Sequence, residues 1–156
     1  MGKRHLVTSL LVAPLLAMAG WWASGLFSSQ EPVPAQKGGV YPLLEKSNCR
    51  YASGECLLEN VDFTIALTYV LRSDGHFLLA QASHPLSDIL LAVDEDEHSA
   101  PQFMARRGTN SREWSLTLDG RPGAAARIRL VARSADVIWF GDAATHFIKA
   151  PVSGIQ

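Results

Sequence analysis

The two cysteines of the chain, Cys49 and Cys56, have the spacing that carries the clearest chemical signal. The six residues between them include Gly54, which can adopt the positive φ that a tight chain reversal needs. In an exported protein such a pair of cysteines forms a structural disulfide more often than it binds a metal or acts as a redox pair. A metal site or a redox pair is the alternative, although the spacing is not Cys-x-x-Cys and no histidine lies nearby. We expect a structural disulfide.

A soft-metal site is the second chemistry that the residue types allow. Thioether sulfur and imidazole nitrogen suit copper, and Met104 could supply the first with His98 or His146 supplying the second. Met104 lies between Phe103 and Ala105, a context that is typical of a core methionine. The sequence therefore predicts no bound cofactor, with copper or another metal at Met104, His98 and His146 as the alternative.

The densest group of charges is the acidic run at 94–97. Alternating carboxylates can bind a hard cation such as calcium, but this run lacks the glycine and the spaced acids of known calcium loops. A solvated acidic turn between two strands is the simpler interpretation.

Several arginines in the second half of the chain could form one basic surface. They are Arg106, Arg107, Arg127, Arg129 and Arg133. If the strands that carry them are neighbours, this surface could dock an acidic partner protein or lipid headgroups. The alternative is the solvated outer face of a sheet.

Catalytic motifs are missing from the sequence. It contains no Gly-x-Ser-x-Gly, no phosphate-binding glycine loop and no His-Glu-x-x-His, so we predict that the protein is not an enzyme. Fourteen Lys and Arg against fifteen Asp and Glu give a net charge of −1. Nucleic-acid-binding proteins normally show a basic surplus, and we expect no nucleic acid partner.

The N-terminal segment at 1–27 is predicted to be a membrane anchor or a signal peptide. Residues 6–27 carry no charge and would rise about 33 Å as a helix, enough to cross a bilayer core of roughly 30 Å. Lys3 and Arg4 precede them, so the positive-inside rule places the rest of the chain outside the cytoplasm. Cleavage before Gly20, after Ala-Met-Ala, is the alternative. We expect a single-pass protein of a bacterial inner membrane with its C-terminal domain in the periplasm, or a soluble periplasmic protein if cleaved.

The remaining chain divides into three parts. Prolines and glycines at 28–44 predict a flexible linker, 45–150 a folded domain and 151–156 a C-terminal tail. Within the domain, apolar and polar residues alternate at period two, the pattern of half-buried strands. The predicted strands lie at 61–72, 77–81, 86–93, 114–118, 126–133, 137–140 and 146–150. The segment at 86–93 suits a short helix equally well. Seven or eight short strands predict an all-β fold, an immunoglobulin-like β-sandwich.

The motif Cys-x-x-x-x-Gly-x-Cys, followed by a long alternating strand, resembles a group of small bacterial proteins anchored in the membrane by one N-terminal span. The similarity covers the anchor, the cysteine hairpin, the Pro85-Leu86 strand and the region around Met104. In that group a second methionine often follows the first and a further cysteine lies in the last third; here Ala105 follows Met104 and no later cysteine exists. The resemblance implies a periplasmic location and a β-sandwich, and no activity.

Together these observations predict a non-enzymatic, membrane-tethered accessory or interaction module with an envelope protein as its partner. A periplasmic copper- or metal-handling protein is the alternative function.

Overall fold

Alternating apolar and polar residues build two β-sheets in the computed structural model, which describes residues 34–94 and 99–149. The described part of the chain contains eleven strands. They are β1 Val40–Pro42, β2 Leu44–Glu45, β3 Glu55–Glu59, β4 Thr64–Arg72, β5 Gly75–Ala82, β6 Asp88–Asp94, β7 Gln102–Phe103, β8 Ala105–Arg107, β9 Glu113–Leu118, β10 Arg127–Arg133 and β11 Ile138–Ala144. A short 3-10 turn, Ser47–Arg50, precedes β3.

The strand order differs from the chain order in both sheets. The five-stranded sheet has the order β1-β11-β10-β6-β7, and the six-stranded sheet has the order β2-β3-β4-β5-β9-β8. Neighbouring strands are antiparallel except β1 and β11, which are parallel. The edge strands β1, β2, β7 and β8 are only two or three residues long, which leaves little edge backbone for pairing with another chain.

The inner faces of the two sheets share one hydrophobic core, the arrangement of a β-sandwich. The core includes Leu67 and Leu78 from the six-stranded sheet and Leu91 and Ile128 from the five-stranded sheet, all at most 1% exposed. The rings of Phe63, just before β4, and Trp139, on β11, stack with their centroids 4.1 Å apart. Shared burial of this kind confirms the all-β prediction.

The chain crosses from one sheet to the other at Leu43, between β1 and β2. The backbone N–H of Leu43 donates a hydrogen bond of 2.7 Å to the carbonyl oxygen of Phe140. Gly141 permits this approach, because a Cβ at that position would lie 2.9 Å from the Cβ of Leu43. The sequence predicted that the linker extends to residue 44, but the strands at Val40–Pro42 and Leu44–Glu45 already belong to the sheets.

Most predicted strands correspond to observed ones. The ambiguous segment at 86–93 is strand β6, and the predicted strand at 137–140 continues through the expected turn to the end of β11. The predicted strand at 146–150 is wrong over its described residues, because the chain turns there: the backbone N–H of Ile148 donates to the carbonyl oxygen of Thr145 at 3.0 Å. Phe147 is fully buried in that turn, so its apolar character reflects core packing without strand pairing.

Three expectations fall outside the described residues: the N-terminal span at 6–27, the acidic run at 95–97 with His98, and the C-terminal tail at 151–156. Across 34–94 and 99–149, no helix is both long and apolar enough to span a membrane.

Candidate interaction surface

The outer face of the five-stranded sheet is formed by the side chains that point away from the hydrophobic core. On the central strand β10, Ile128, Leu130 and Ala132 are buried against the six-stranded sheet. The intervening positions therefore project outwards, since successive side chains of a strand alternate between the two faces. Arginine occupies three of these outward positions, and Val131 occupies the fourth.

Val131 is the centre of a row of apolar side chains that crosses all five strands. It lies opposite Phe140 on β11 and Leu90 on β6. Leu90 in turn lies opposite Phe103 on β7, and Phe140 lies beside Pro42 on β1. Directly paired residues share one face of a sheet, with Cβ atoms about 5 Å apart. We call these five residues the apolar row.

The apolar row is accessible to solvent. Phe103 is 64% exposed, Phe140 39% and Val131 36%, while Leu90 and Pro42 are half-buried. The adjacent pair of Val40, 59% exposed, and Ile138 extends the apolar area on the same face.

Other exposed apolar side chains in the described residues are scattered. Eight large ones are exposed, and half of them lie on this one face. The other four are Leu44, Tyr51, Val61 and Leu71. Isolated exposed apolar residues are normal, whereas a contiguous apolar area indicates an interaction site. The outer face of the five-stranded sheet is therefore the strongest candidate site.

Ion pairs lie on both sides of the apolar row. On one side, Nε of Arg133 donates a hydrogen bond of 2.6 Å to Oδ1 of Asp88, and this hydrogen bond and the carboxylate charge raise the pKa of Arg133. On the other side, Nη2 of Arg129 donates to Oδ2 of Asp94 at 2.6 Å. Arg127 forms a further ion pair, with Asp142 of β11.

The structure divides the five arginines of the expected basic surface between the two sheets. Arg127, Arg129 and Arg133 share β10, but each has a carboxylate partner. Arg106 and Arg107 lie on β8, which belongs to the other sheet and is not a neighbour of β10.

The guanidinium of Arg106 lies 5.2 Å from the ring centroid of Trp114 and donates to the carbonyl oxygen of Ser87 at 3.3 Å. Arg107 is exposed, opposite Glu113 in the register of β8 and β9.

The two cysteines form the expected bond. The sulfurs of Cys49, in the 3-10 turn, and Cys56, on β3, are 2.06 Å apart, and both residues are completely buried. Gly54 has a φ of +91°, and its backbone N–H donates to the carbonyl oxygen of Phe147 at 2.8 Å. The disulfide therefore closes the loop that leads into β3, and the hydrogen bond of Gly54 holds that loop against the turn that follows β11.

The metal candidates lie in different surroundings. Met104 is 4% exposed between β7 and β8, and its backbone N–H donates to the carbonyl oxygen of Ile89 at 2.9 Å. His146 is exposed in the turn after β11, and His98 is outside the described residues. Within the described ranges, no three side chains of His, Cys, Asp or Glu form a group that could hold a metal ion.

A second candidate site is an open cleft of about 570 Å³ beside His146. Its central group is Glu45, which accepts a hydrogen bond of 2.9 Å from the backbone N–H of Ala144. The carboxylate of Glu45 also lies 3.2 Å from Nε of Arg50 and 3.8 Å from Nη2 of Arg127. These contacts compensate the negative charge of Glu45. The ion pairs of the cleft therefore have a structural role.

Comparison of the chain with known protein families, with curated proteins and with solved structures finds no match. The resemblance to membrane-anchored periplasmic proteins thus stays a prediction. The geometry of the outer face of the five-stranded sheet is the feature of the molecule that bears on its function.

Proposed function

We propose that the protein is a non-enzymatic interaction module, a β-sandwich displayed in the bacterial periplasm on an N-terminal membrane tether. The observation that carries the proposal is the apolar row across the five-stranded sheet. We call the apolar row and the ion pairs on either side of it the docking surface of the protein. The partner that binds this docking surface is an envelope protein.

The strand order supports an immunoglobulin-like class for the sandwich. Constant-type immunoglobulin domains have one sheet in the order A-B-E-D and another in the order C-F-G. The orders β4-β5-β9-β8 and β6-β10-β11 correspond to them strand by strand. In this correspondence β1, β2, β3 and β7 are additions, and the docking surface is the outer face of the C-F-G sheet.

The composition of the face suits binding by burial of apolar surface. Burying a large apolar side chain completely contributes about 1.5–3 kcal/mol, of which part is offset by the entropy lost on association. The arginines beside the row are already hydrogen-bonded to carboxylates, as Arg133 is to Asp88. A partner that covers the row therefore does not have to bury an unpaired charge, which would cost several kcal/mol.

The predicted tether supports a weak interaction of this kind. Confining a module and its partner to one membrane raises their effective concentration, so a modest affinity is enough for occupancy. The residues from 28 to the start of β1 would serve as the connection between the span and the sandwich.

The experiment is site-specific photo-crosslinking of the full chain in its native membrane. A photoreactive phenylalanine analogue replaces Phe140, and the control places it at Thr117, an exposed residue on the outer face of the six-stranded sheet. We expect light-dependent adducts from the first position and none from the second. Absence of adducts at Phe140, or equal labelling at Thr117, would remove the support for this docking surface.

A further inference from the structure

We propose that the uncovered edge of β9 accepts one further strand, and that residues 150–156 of the same chain supply it. We call these residues the tail; they follow the described part of the chain. The site belongs to the six-stranded sheet, so the proposal goes beyond the docking surface on the other sheet. Three observations support it: the free backbone of β9, an apolar cleft beside that backbone, and the place where the tail begins.

Part of the edge of β9 has no described strand beside it. β8 pairs with β9 only as far as Ser115, because Met104, before β8, already bonds to the five-stranded sheet. The backbone N–H of Ala82 donates to the carbonyl oxygen of Arg112, in register with the pairing of β5 and β9. Such hydrogen-bonded pairs recur at every second residue of an antiparallel ladder. The backbone N–H and C=O of Thr117 therefore point away from β5, towards the open edge.

A cleft of about 240 Å³ lies beside this open backbone. Its lining includes apolar side chains of both sheets, among them Leu91 and Val93 of β6 and Leu116 and Leu118 of β9. Sites for small molecules usually have about 300–1,000 Å³, so this cleft is smaller than a typical ligand pocket. A segment that adds a strand to a sheet edge combines backbone hydrogen bonds with side chains that fill such pockets. The cleft therefore suits one or two apolar side chains of an extended segment.

The tail begins close to this cleft. Arg121 lines the cleft, and its Nη2 donates a hydrogen bond of 3.3 Å to the carbonyl oxygen of Ile148. One arginine side chain thus connects the cleft to the chain just before the tail. The seven residues of the tail can span about 23 Å when extended, which is enough to reach the open edge.

The composition of the tail suits an apolar cleft at a strand edge. The tail has no charged residue, and Val152 and Ile155 are apolar, β-branched residues that strands favour. The open stretch of β9 is too short for stable pairing with a separate chain. A segment of the same chain needs little affinity, because its attachment raises its effective concentration at the site. These conditions favour the tail over a segment of another protein.

The test uses the full chain in membranes, with two added cysteines and a short bismaleimide crosslinker. Ser153→Cys places one thiol in the tail, and Thr117→Cys places the other at the open edge. In the control, Gln81→Cys replaces Thr117→Cys; Gln81 is exposed on the same outer face, about 13 Å further along the sheet. Cys49 and Cys56 are buried and bonded to each other, so they do not compete for the reagent.

We expect a product that joins the two added cysteines within one chain, in about fivefold higher yield with Thr117→Cys than with Gln81→Cys. Replacing both Val152 and Ile155 by aspartate should remove this preference, because a carboxylate is costly to bury in an apolar cleft. Thermal unfolding checks that each variant is folded.

Three results overturn the inference. Equal yields from Thr117→Cys and Gln81→Cys would mean that the tail does not occupy the open edge. A product of twice the 16.9 kDa chain mass would place the tail on a second copy. A product with a different protein would show that the edge accepts a partner. A bond within one chain is not a partner adduct, so the photo-crosslinking at Phe140 tests the proposed function separately.

Discussion

Val131 of β10 lies directly opposite Phe140 of β11, and both side chains project to solvent from the centre of the five-stranded sheet. Cross-strand pairs of an aromatic and a β-branched residue stabilise a sheet, but exposure leaves much of their apolar area uncovered. Together with their neighbours they turn an ordinary outer sheet face into a surface suited to binding.

The ion pairs beside that contact predict that binding depends little on salt. A basic surface that docks an acidic partner loses affinity as ionic strength screens the charges. Here Arg129 and Arg133 are already neutralised by Asp94 and Asp88. The yield of photo-crosslinked adducts at Phe140 should therefore stay the same from low to high sodium chloride. A steep decline with salt would favour the acidic-partner interpretation of the arginines.

Replacing both Cys49 and Cys56 by serine should destabilise the protein without unfolding it. Closing an eight-residue loop stabilises by about 2–3 kcal/mol in the chain-entropy model, which corresponds to a Tm lower by roughly 10 °C. The measurement is thermal unfolding of the variant and the native chain. The bond has no chemical role in the proposed function, so photo-crosslinking at Phe140 should survive well below the new midpoint. Alkylation of free thiols in the folded native protein would contradict the structural disulfide.

Gly141→Ala should destabilise the crossing between the two sheets. The new Cβ would lie 2.9 Å from the Cβ and 3.0 Å from the backbone oxygen of Leu43, so the backbone would have to move. Overpacking of this kind costs about 1–3 kcal/mol, measured by denaturant unfolding. Gly120→Ala is the matched control, since a Cβ there meets no atom within 4 Å. Equal stability of the two variants would mean that β1 and β2 do not cross as described.

Phe63→Ala should be among the most destabilising single substitutions. The side chain is completely buried and stacks on Trp139, which lies in the other sheet. Truncating a buried phenylalanine costs about 3–5 kcal/mol, whereas Val61→Ala, at a 58% exposed residue, should stay within about 0.5 kcal/mol. A difference between the two variants of less than about 1 kcal/mol would contradict the packing of Phe63 between the sheets.

The predicted topology can be tested by fusing alkaline phosphatase after Gly38, just before β1. The basic residues Lys3 and Arg4 should retain the N-terminus in the cytoplasm, so the fusion should be exported and active. An inactive fusion would exclude the periplasmic location. The mass of the mature protein separates the two export modes, because a chain that begins at Gly20 has lost a signal peptide.

Sequence patterns predicted the long strands and missed five shorter ones. The five-residue β3 was missed because Cys56, Leu57 and Leu58 are consecutive apolar residues and show no alternation. A period of two can be seen over the nine residues of β4 or the seven of β10, but not over the two or three residues of β1, β2, β7 and β8. The false strand at 146–150 arose because Phe147 and Ile148 are buried in a turn. The sequence pattern alone does not distinguish apolar residues buried in a turn from apolar residues buried in a strand.

The docking surface was only partly visible in the sequence. Val131 alternates with the buried residues of β10 in the sequence, but nothing there marks it as part of a surface, because its neighbours Leu90 and Phe103 come from distant strands. The same holds for the charges, since the partners of Arg133 and Arg129 are 45 and 35 residues away. Strand register decides which apolar residues are neighbours and which carboxylates pair with the arginines. Register depends on long-range pairing that local patterns do not encode.

The most direct test of the docking surface combines the photoprobe at Phe140 with a second substitution in the same row. Phe103→Glu places a carboxylate at a 64% exposed residue of the row, and Leu71→Glu does so at a 58% exposed residue of the other sheet. If binding uses the docking surface, adducts at Phe140 should disappear with Phe103→Glu and persist with Leu71→Glu. Thermal unfolding should show that both variants are folded. Adducts that persist in both variants would contradict binding through the apolar row.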